Sequence, residues 1–133
     1  MRNRWKASAI RRLGGLEQLV YRSRLIGEEG SLGLFGGGNT SLKGTLPDLA
    51  GRPREVLWVK GSGCDLKGCH VRHFSALRLA EIRHLAGRAA MTDEDMVAGL
   101  EQCLLDPKAP RPSIETLLHA FVPQAAIDHT HAD

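Results

Sequence analysis

The sequence predicts a mixed α/β domain, and three stretches carry that prediction. Residues 55–60, "EVLWVK", form an apolar run of strand length that "GSG" closes, as expected of a buried strand. Residues 91–105, "MTDEDMVAGLEQCLL", read as a helix: Thr92 can cap its start, and Asp93, Glu94 and Asp95 suit the positive end of its dipole. Residues 125–132, "AAIDHTHA", alternate like a strand, so that Ile127, His129 and His131 share one face.

The other elements fall between these. From Leu16, the positions Leu19, Val20, Ser23 and Ile26 recur at helical spacing, and Gly27 is a suitable stop. "SLGLFGGGNTSLKG", residues 31–44, is a short apolar stretch broken by three consecutive glycines. "FSALRLAEIRHLAG", residues 74–87, spaces Leu77, Ala80 and Leu85 as one helix or two short ones. Pro107, Pro110 and Pro112 punctuate a loop, and Pro112 is favourable near the start of a helix over "SIETLLHAF", residues 113–121. The layout is helix, two strands, three helices, strand, with no internal repeat.

A chain of 133 residues suits one domain, which would bury about 68–70% of its unfolded surface. Its apolar share of 42% and charged share of 25% are those of a globular protein. A net charge of +3 is too mild to point to nucleic acid, and much of it comes from Arg2, Arg4, Lys6, Arg11 and Arg12. Residues 1–15 thus form a basic N-terminal extension. With little serine and no apolar moment, they fit a solvated helix face better than a transit peptide. No run approaches the ~18 apolar residues of a membrane span. Three cysteines without framework spacing fit a reducing compartment, and the cytoplasm is the expected location.

The chemistry-bearing residues cluster late in the chain. On a strand, His129 and His131 would point the same way and converge on one cation, although two exposed edge-strand histidines would look the same. Glu115 falls in the first turn of a helix, where a carboxylate is usually a dipole cap; with Ser113 and free backbone N–H groups it can also hold an anion and present an acid/base. His119, four residues on, reads as a packed or buttressing histidine. The turns "FGGGNTS" and "KGSG" match neither the Walker nor the dinucleotide fingerprint, yet each can form an anion-binding nest, with Asn39, Ser41 and Ser62 adding donors. A rival zinc site would use Cys64, Cys69, His70 and His73, but adjacent Cys69 and His70 cannot easily face one ion.

Taken in order, "GGGNTS", "VKGSG", "PSIETLLHAF" and "DHTHAD" resemble the class II aldolase/adducin family. The likeness runs from about Leu16 to the last residue. It is nearest to the aldolase half of bifunctional proteins that join a rhamnulose-1-phosphate aldolase-like domain to a short-chain dehydrogenase. The resemblance implies a three-layer α/β/α fold with a largely antiparallel central sheet, here incomplete at its C-terminus. It implies that residues 1–133 are the N-terminal part of such a domain. Gly38 and Asn39 match one phosphate turn, Ser62 and Gly63 the second, and Ser113 a phosphate-binding serine. Glu115 matches the acid/base and can touch the resting metal. His129 and His131 match two of three zinc-binding histidines, the third being expected beyond residue 133. Ile114 departs from the family, which often has a second serine there.

The implied function is that of a lyase, dependent on zinc or another divalent metal, that cleaves a phosphorylated ketose. Retro-aldol cleavage leaves an enediolate that a Lewis-acidic metal can chelate. The same likeness implies a homo-oligomer at full length, a dehydrogenase domain outside this chain, and no activity from these residues alone. A non-catalytic adducin-like interaction domain is the alternative from another class. An epimerase or dehydratase on the same metal site is the other.

Overall fold

A computed structural model describes residues 3–33 and 37–132. Four strands form one antiparallel sheet in the order β3-β2-β1-β4: β1 Asn39–Pro47, β2 Pro53–Lys60, β3 Phe74–Arg78 and β4 Ala126–His129. The first two make a hairpin whose turn is chemically specified. Asp48 Oδ1 accepts the N–H groups of Ala50 and Arg52, and Gly51 takes φ 77°, the left-handed conformation that glycine adopts without a Cβ penalty.

Strand alternation divides the core in two. On one face, Leu57, Val59 and Leu77 pack with Leu79 and Ile82 of α3 (Leu79–His84), Leu100 of α4 (Asp93–Gln102) and Ala120 of α5 (Thr116–Phe121). On the other, Leu42, Trp58 and Phe74 meet Leu19 and Val20 of α2 (Gly15–Gly27) and the Cys69 thiol. Even-numbered residues of β2 thus point toward α2 and odd-numbered ones toward the later helices, as a period of two requires. The result is three layers, α/β/α, the architecture expected from the sequence. A short α1 (Ala7–Ile10) precedes α2, and the basic start is not free: Arg4 bonds Glu28 and the Leu25 carbonyl, and Trp5 packs on Tyr21 at 5.4 Å. Among the described residues, no helix is long and apolar enough to cross a membrane.

Several boundaries differ from the sequence reading. The helix expected from residue 74 begins only at Leu79, because Phe74–Arg78 pair with β2 from Lys60 back to Val56 and bury Phe74, Ser75 and Leu77. Tertiary pairing there overrides a spacing that a helix would also satisfy. The helix expected from Ser113 starts at Thr116, since Pro112 is held extended in a bridge to Gly61. Its neighbour α4 starts where expected, with Thr92 Oγ1 accepting the Asp95 N–H at 3.1 Å. Strand β1 starts after the glycines, and residues 34–36 of that glycine-rich stretch lie outside the described residues. His131 lies past β4, in an isolated parallel bridge to Gly33, with its N–H donating to Leu32 O.

Leu77 tests this layering. It is fully buried, opposite Leu57 across the β2–β3 pair. Leu77→Ala is expected to lower stability by about 2–5 kcal/mol, as buried leucine truncations do, read as a fall in the urea midpoint. A loss below about 1 kcal/mol would mean that this layer is loosely packed.

Candidate metal centre

Glu115 reaches the centre from the loop before α5, His129 from the end of β4, and His131 from the segment beyond it. His129 Nδ1 lies 3.5 Å from Glu115 Oε2, and His131 Nε2 lies 3.5 Å from Glu115 Oε1. One ligand atom from each residue falls within 4.8 Å of the others, and among the described residues this is the only His/Cys/Asp/Glu group that does so. A cation held at ~2.0–2.2 Å by tetrahedral donors separates them by about 3.4 Å, close to each histidine–carboxylate distance, the two histidines facing different oxygens of Glu115. The donor set also suits the role. His129 Nδ1 is buried with no hydrogen-bond partner, a state that costs about 1–3 kcal/mol unless something satisfies it. The residues present therefore fit a divalent metal ion.

What positions the histidines is the pairing of β4 with β1. Asn39 is the register partner of His129, and Ser41 that of Ile127. Arg22, from α2, fixes this edge by donating to Asp128 Oδ1 at 2.7 Å and to Ser41 O at 2.8 Å. Gly38 is required next to it. Its φ is 93°, and a Cβ there would lie 2.9 Å from His129 O.

The same end of the sheet gathers both glycine turns. Asn39 is buried; its amide donates to Lys60 O at 3.2 Å and its Oδ1 accepts the Thr40 N–H, so it fastens the start of β1 to the end of β2. The turn after β2 is held by Ser62, whose N–H donates to Arg111 O at 2.9 Å and whose hydroxyl reaches the same oxygen at 3.3 Å. Ser113 Oγ accepts the Glu115 N–H at 3.3 Å. Gly38, Asn39, Ser62, Gly63 and Ser113 are thus assembled around the end of the sheet that carries His129. The Asn39, Ser62 and Ser113 side chains already have partners within the chain, and the exposed part is the Ser62–Gly63 turn, with Gly63 at φ 82°.

Lys60 went unnoticed in the sequence. It is 5% exposed, and its ammonium donates to Gly61 O and Cys64 O beneath that turn. A lysine closing an otherwise apolar strand was the available signal, because lysine is rarely buried without partners. His119 is where a buttress would be: fully buried, with Nδ1 2.7 Å from Ser41 Oγ and Nε2 unpartnered. Burial, reinforced by His129, pushes its pKa down to about 4. The rival cysteine–histidine site does not assemble. Cys69 is packed in the core with its thiol pushed up by burial, while Cys64 Sγ contacts His73 Nδ1 at 3.2 Å and Arg24 occupies His70 Nδ1.

The His119 shift sets a pH dependence for the metal-free protein. With a folded pKa near 4 against an ordinary 6.5, the unfolded chain binds a proton that the fold excludes, so stability is whole above pH 6.5 and falls toward pH 4. The loss at the acid end is of the order of 3 kcal/mol. Urea midpoints measured across this window should slope in wild type and flatten in His119→Asn; equal slopes would place the acid sensitivity elsewhere.

Comparison with known proteins agrees with this architecture. No protein-family model matches the chain. It is 56% identical over 119 residues to the uncharacterized oxidoreductase YuxG of Bacillus subtilis (strain 168), an alignment that takes in 90% of this chain and 17% of that protein. The N-terminal class II aldolase domain of a conserved protein from Thermoplasma acidophilum superposes with a TM-score of 0.92 at 43% identity, over 100% of this chain and 61% of that one. The chain therefore spans less than two thirds of either relative. An antiparallel sheet of this order between two helix layers, matched over the whole of this chain by a class II aldolase domain, gives the chain the class II aldolase fold.

Proposed function

We propose that this chain forms the metal-binding part of a class II aldolase-like lyase acting on a phosphorylated ketose of the rhamnulose-1-phosphate type. The observation that carries the reading is the convergence of Glu115, His129 and His131 on one point beside two glycine turns. A divalent cation, zinc by the chemistry of the donors, would be held by these three residues and would supply Lewis-acid polarisation of the substrate oxygens.

The chain's own residues divide the remaining work. Main-chain N–H groups around Gly38–Asn39 and Ser62–Gly63, with Ser113, bind the phosphate and orient the sugar so that the scissile bond faces the centre. Glu115 moves the proton. Its carboxylate makes no hydrogen bond as a helix cap, which leaves both oxygens for the site. In a protein of the relatives' length, a further histidine would complete the ligand set, a short-chain dehydrogenase domain would follow, and the assembly would be a cytoplasmic homo-oligomer. An adducin-like interaction domain without catalysis has no use for the Glu–His–His convergence, so the enzyme reading is preferred.

The metal assignment predicts that His129→Ala and His131→Ala each lose most of the zinc found in wild type by metal analysis. Equal zinc in wild type and the double variant would refute it, and zinc lost instead with Cys64 and Cys69 would revive the rival site.

For catalysis, Glu115→Gln keeps size and polarity but removes the transferable proton. In the longer parent protein, where a third histidine would stand beside His129 and His131 and hold the metal without Glu115, cleavage of a ketose 1-phosphate should fall ~10²–10⁴-fold with zinc largely retained. A rate within a few-fold of wild type would reduce Glu115 to a structural residue. Turnover that yields an epimer or a dehydrated sugar instead of two fragments would move the protein to a neighbouring reaction on the same centre.

A further inference from the structure

His119 lies between the sheet and the metal centre. Its ring is fully buried, its Nδ1 is 2.7 Å from Ser41 Oγ, and its ring centroid is 6.4 Å from that of His129. Its backbone N–H donates to Glu115 O at 3.3 Å, across the first turn of α5. Ser41 in turn is the β1 partner of Ile127, two residues before His129. One side-chain hydrogen bond therefore joins the helix start that presents Glu115 to the part of the sheet that presents His129.

The choice of residue argues that this bond has a purpose beyond filling space. His119 Nε2 is buried without a partner, a cost that a phenylalanine or leucine in the same place would not carry. Counting donors and acceptors also assigns the tautomer. If the Ser41 hydroxyl donates to Nδ1, one function is left over, the Nε2–H; the reverse arrangement leaves two, the hydroxyl hydrogen and the Nε2 lone pair. Little else fixes Glu115. Its side chain makes no capping bond, and its own N–H is held only by the 3.3 Å contact to Ser113 Oγ.

We propose that His119 is a positioning residue: its hydrogen bond to Ser41 sets the gap between the Glu115 carboxylate and the His129 and His131 rings, and thereby the affinity of the centre for a divalent cation. The proposal rests on the metal reading above. Sites of this kind hold their geometry within about 0.5 Å, and loss of an outer partner typically weakens metal binding 10–100-fold. His119 acts through Glu115 and touches neither metal nor substrate.

The test is zinc affinity of the full chain, by chelator competition, with Co²⁺ absorption reporting ligand geometry and urea midpoints of the metal-free protein reporting stability. His119→Phe and Ser41→Ala should each weaken zinc about 10–100-fold and alter the Co²⁺ spectrum. The double variant should be no worse than either single one. His119→Asn, which can keep the bond to Ser41, should return affinity to within a few-fold of wild type. On a Glu115→Ala background, His119→Phe should cause no further loss. If His119→Phe does not fold, Ser41→Ala, which deletes one oxygen, carries the test alone. Zinc bound by wild type and lost in His129→Ala, but held with unchanged affinity in Ser41→Ala and His119→Phe, would overturn the positioning role and leave a packing residue. No zinc in wild type would overturn the metal reading itself, and this inference with it.

Discussion

The antiparallel pairing of β4 with β1 is the constraint on which the candidate site depends. Asn39 opposite His129 sets where the histidine emerges, and Arg22 locks the strand by bonding both Asp128 and the Ser41 carbonyl. A register slip of one residue would turn His129 toward α2 and Asp128 toward α5, because strand side chains alternate. Glu115 would then face a carboxylate instead of an imidazole. The glycine at 38 belongs to the same constraint, since only a residue without Cβ lets the chain enter β1 against the His129 carbonyl. Sheet register and ligand geometry are one problem here.

The loops then build on that rung. Asn39 reaches across to Lys60 O, the Ser62 turn docks on Arg111 O, and Gly61 bridges Pro112, where a Cβ on the glycine would collide with the Pro110 ring at 2.6 Å. The Asn39 side chain thus ties the first turn to the end of β2, a main-chain bond ties the second turn to the proline loop, and those bonds hold the approach to the centre. Backbone groups that hold loops to one another leave fewer free donors than the residue names suggest. An anion near these turns would meet the main chain at Ser62–Gly63 before it met the Asn39 amide.

Much of this was legible in the sequence. The strand at 55–60, the helix capped by Thr92 and the alternation of Ile127 and His129 each rest on local chemistry that tertiary packing reinforces. The residues that converge could be named because Glu115, His129 and His131 lie in short motifs that occur in a set order. What could not be read was decided by partners distant in the chain. Phe74–Arg78 is a strand because β2 is there to pair with it, although Leu77 and Ala80 also satisfy a helical spacing. The start of α5 moved because Pro112 was taken by Gly61, 51 positions earlier. The burial of Lys60 follows from two carbonyls of a turn whose shape no local rule specifies.

The Asn39–His129 rung spans most of the chain and has a kinetic consequence. The β1–β2 hairpin closes over a five-residue turn and β3 follows β2 after residues 61–73, whereas β4 must return from far along the sequence to find β1. Loop-closure entropy places such a long-range pairing late in folding, after the local hairpins exist. As an edge strand of four residues, β4 is also a natural first element to detach in partial unfolding. The histidines would then converge only in the last step of folding and separate in the first step of opening. A cation at that point would bind only the chain in which β4 is docked on β1, and occupancy would report that docking.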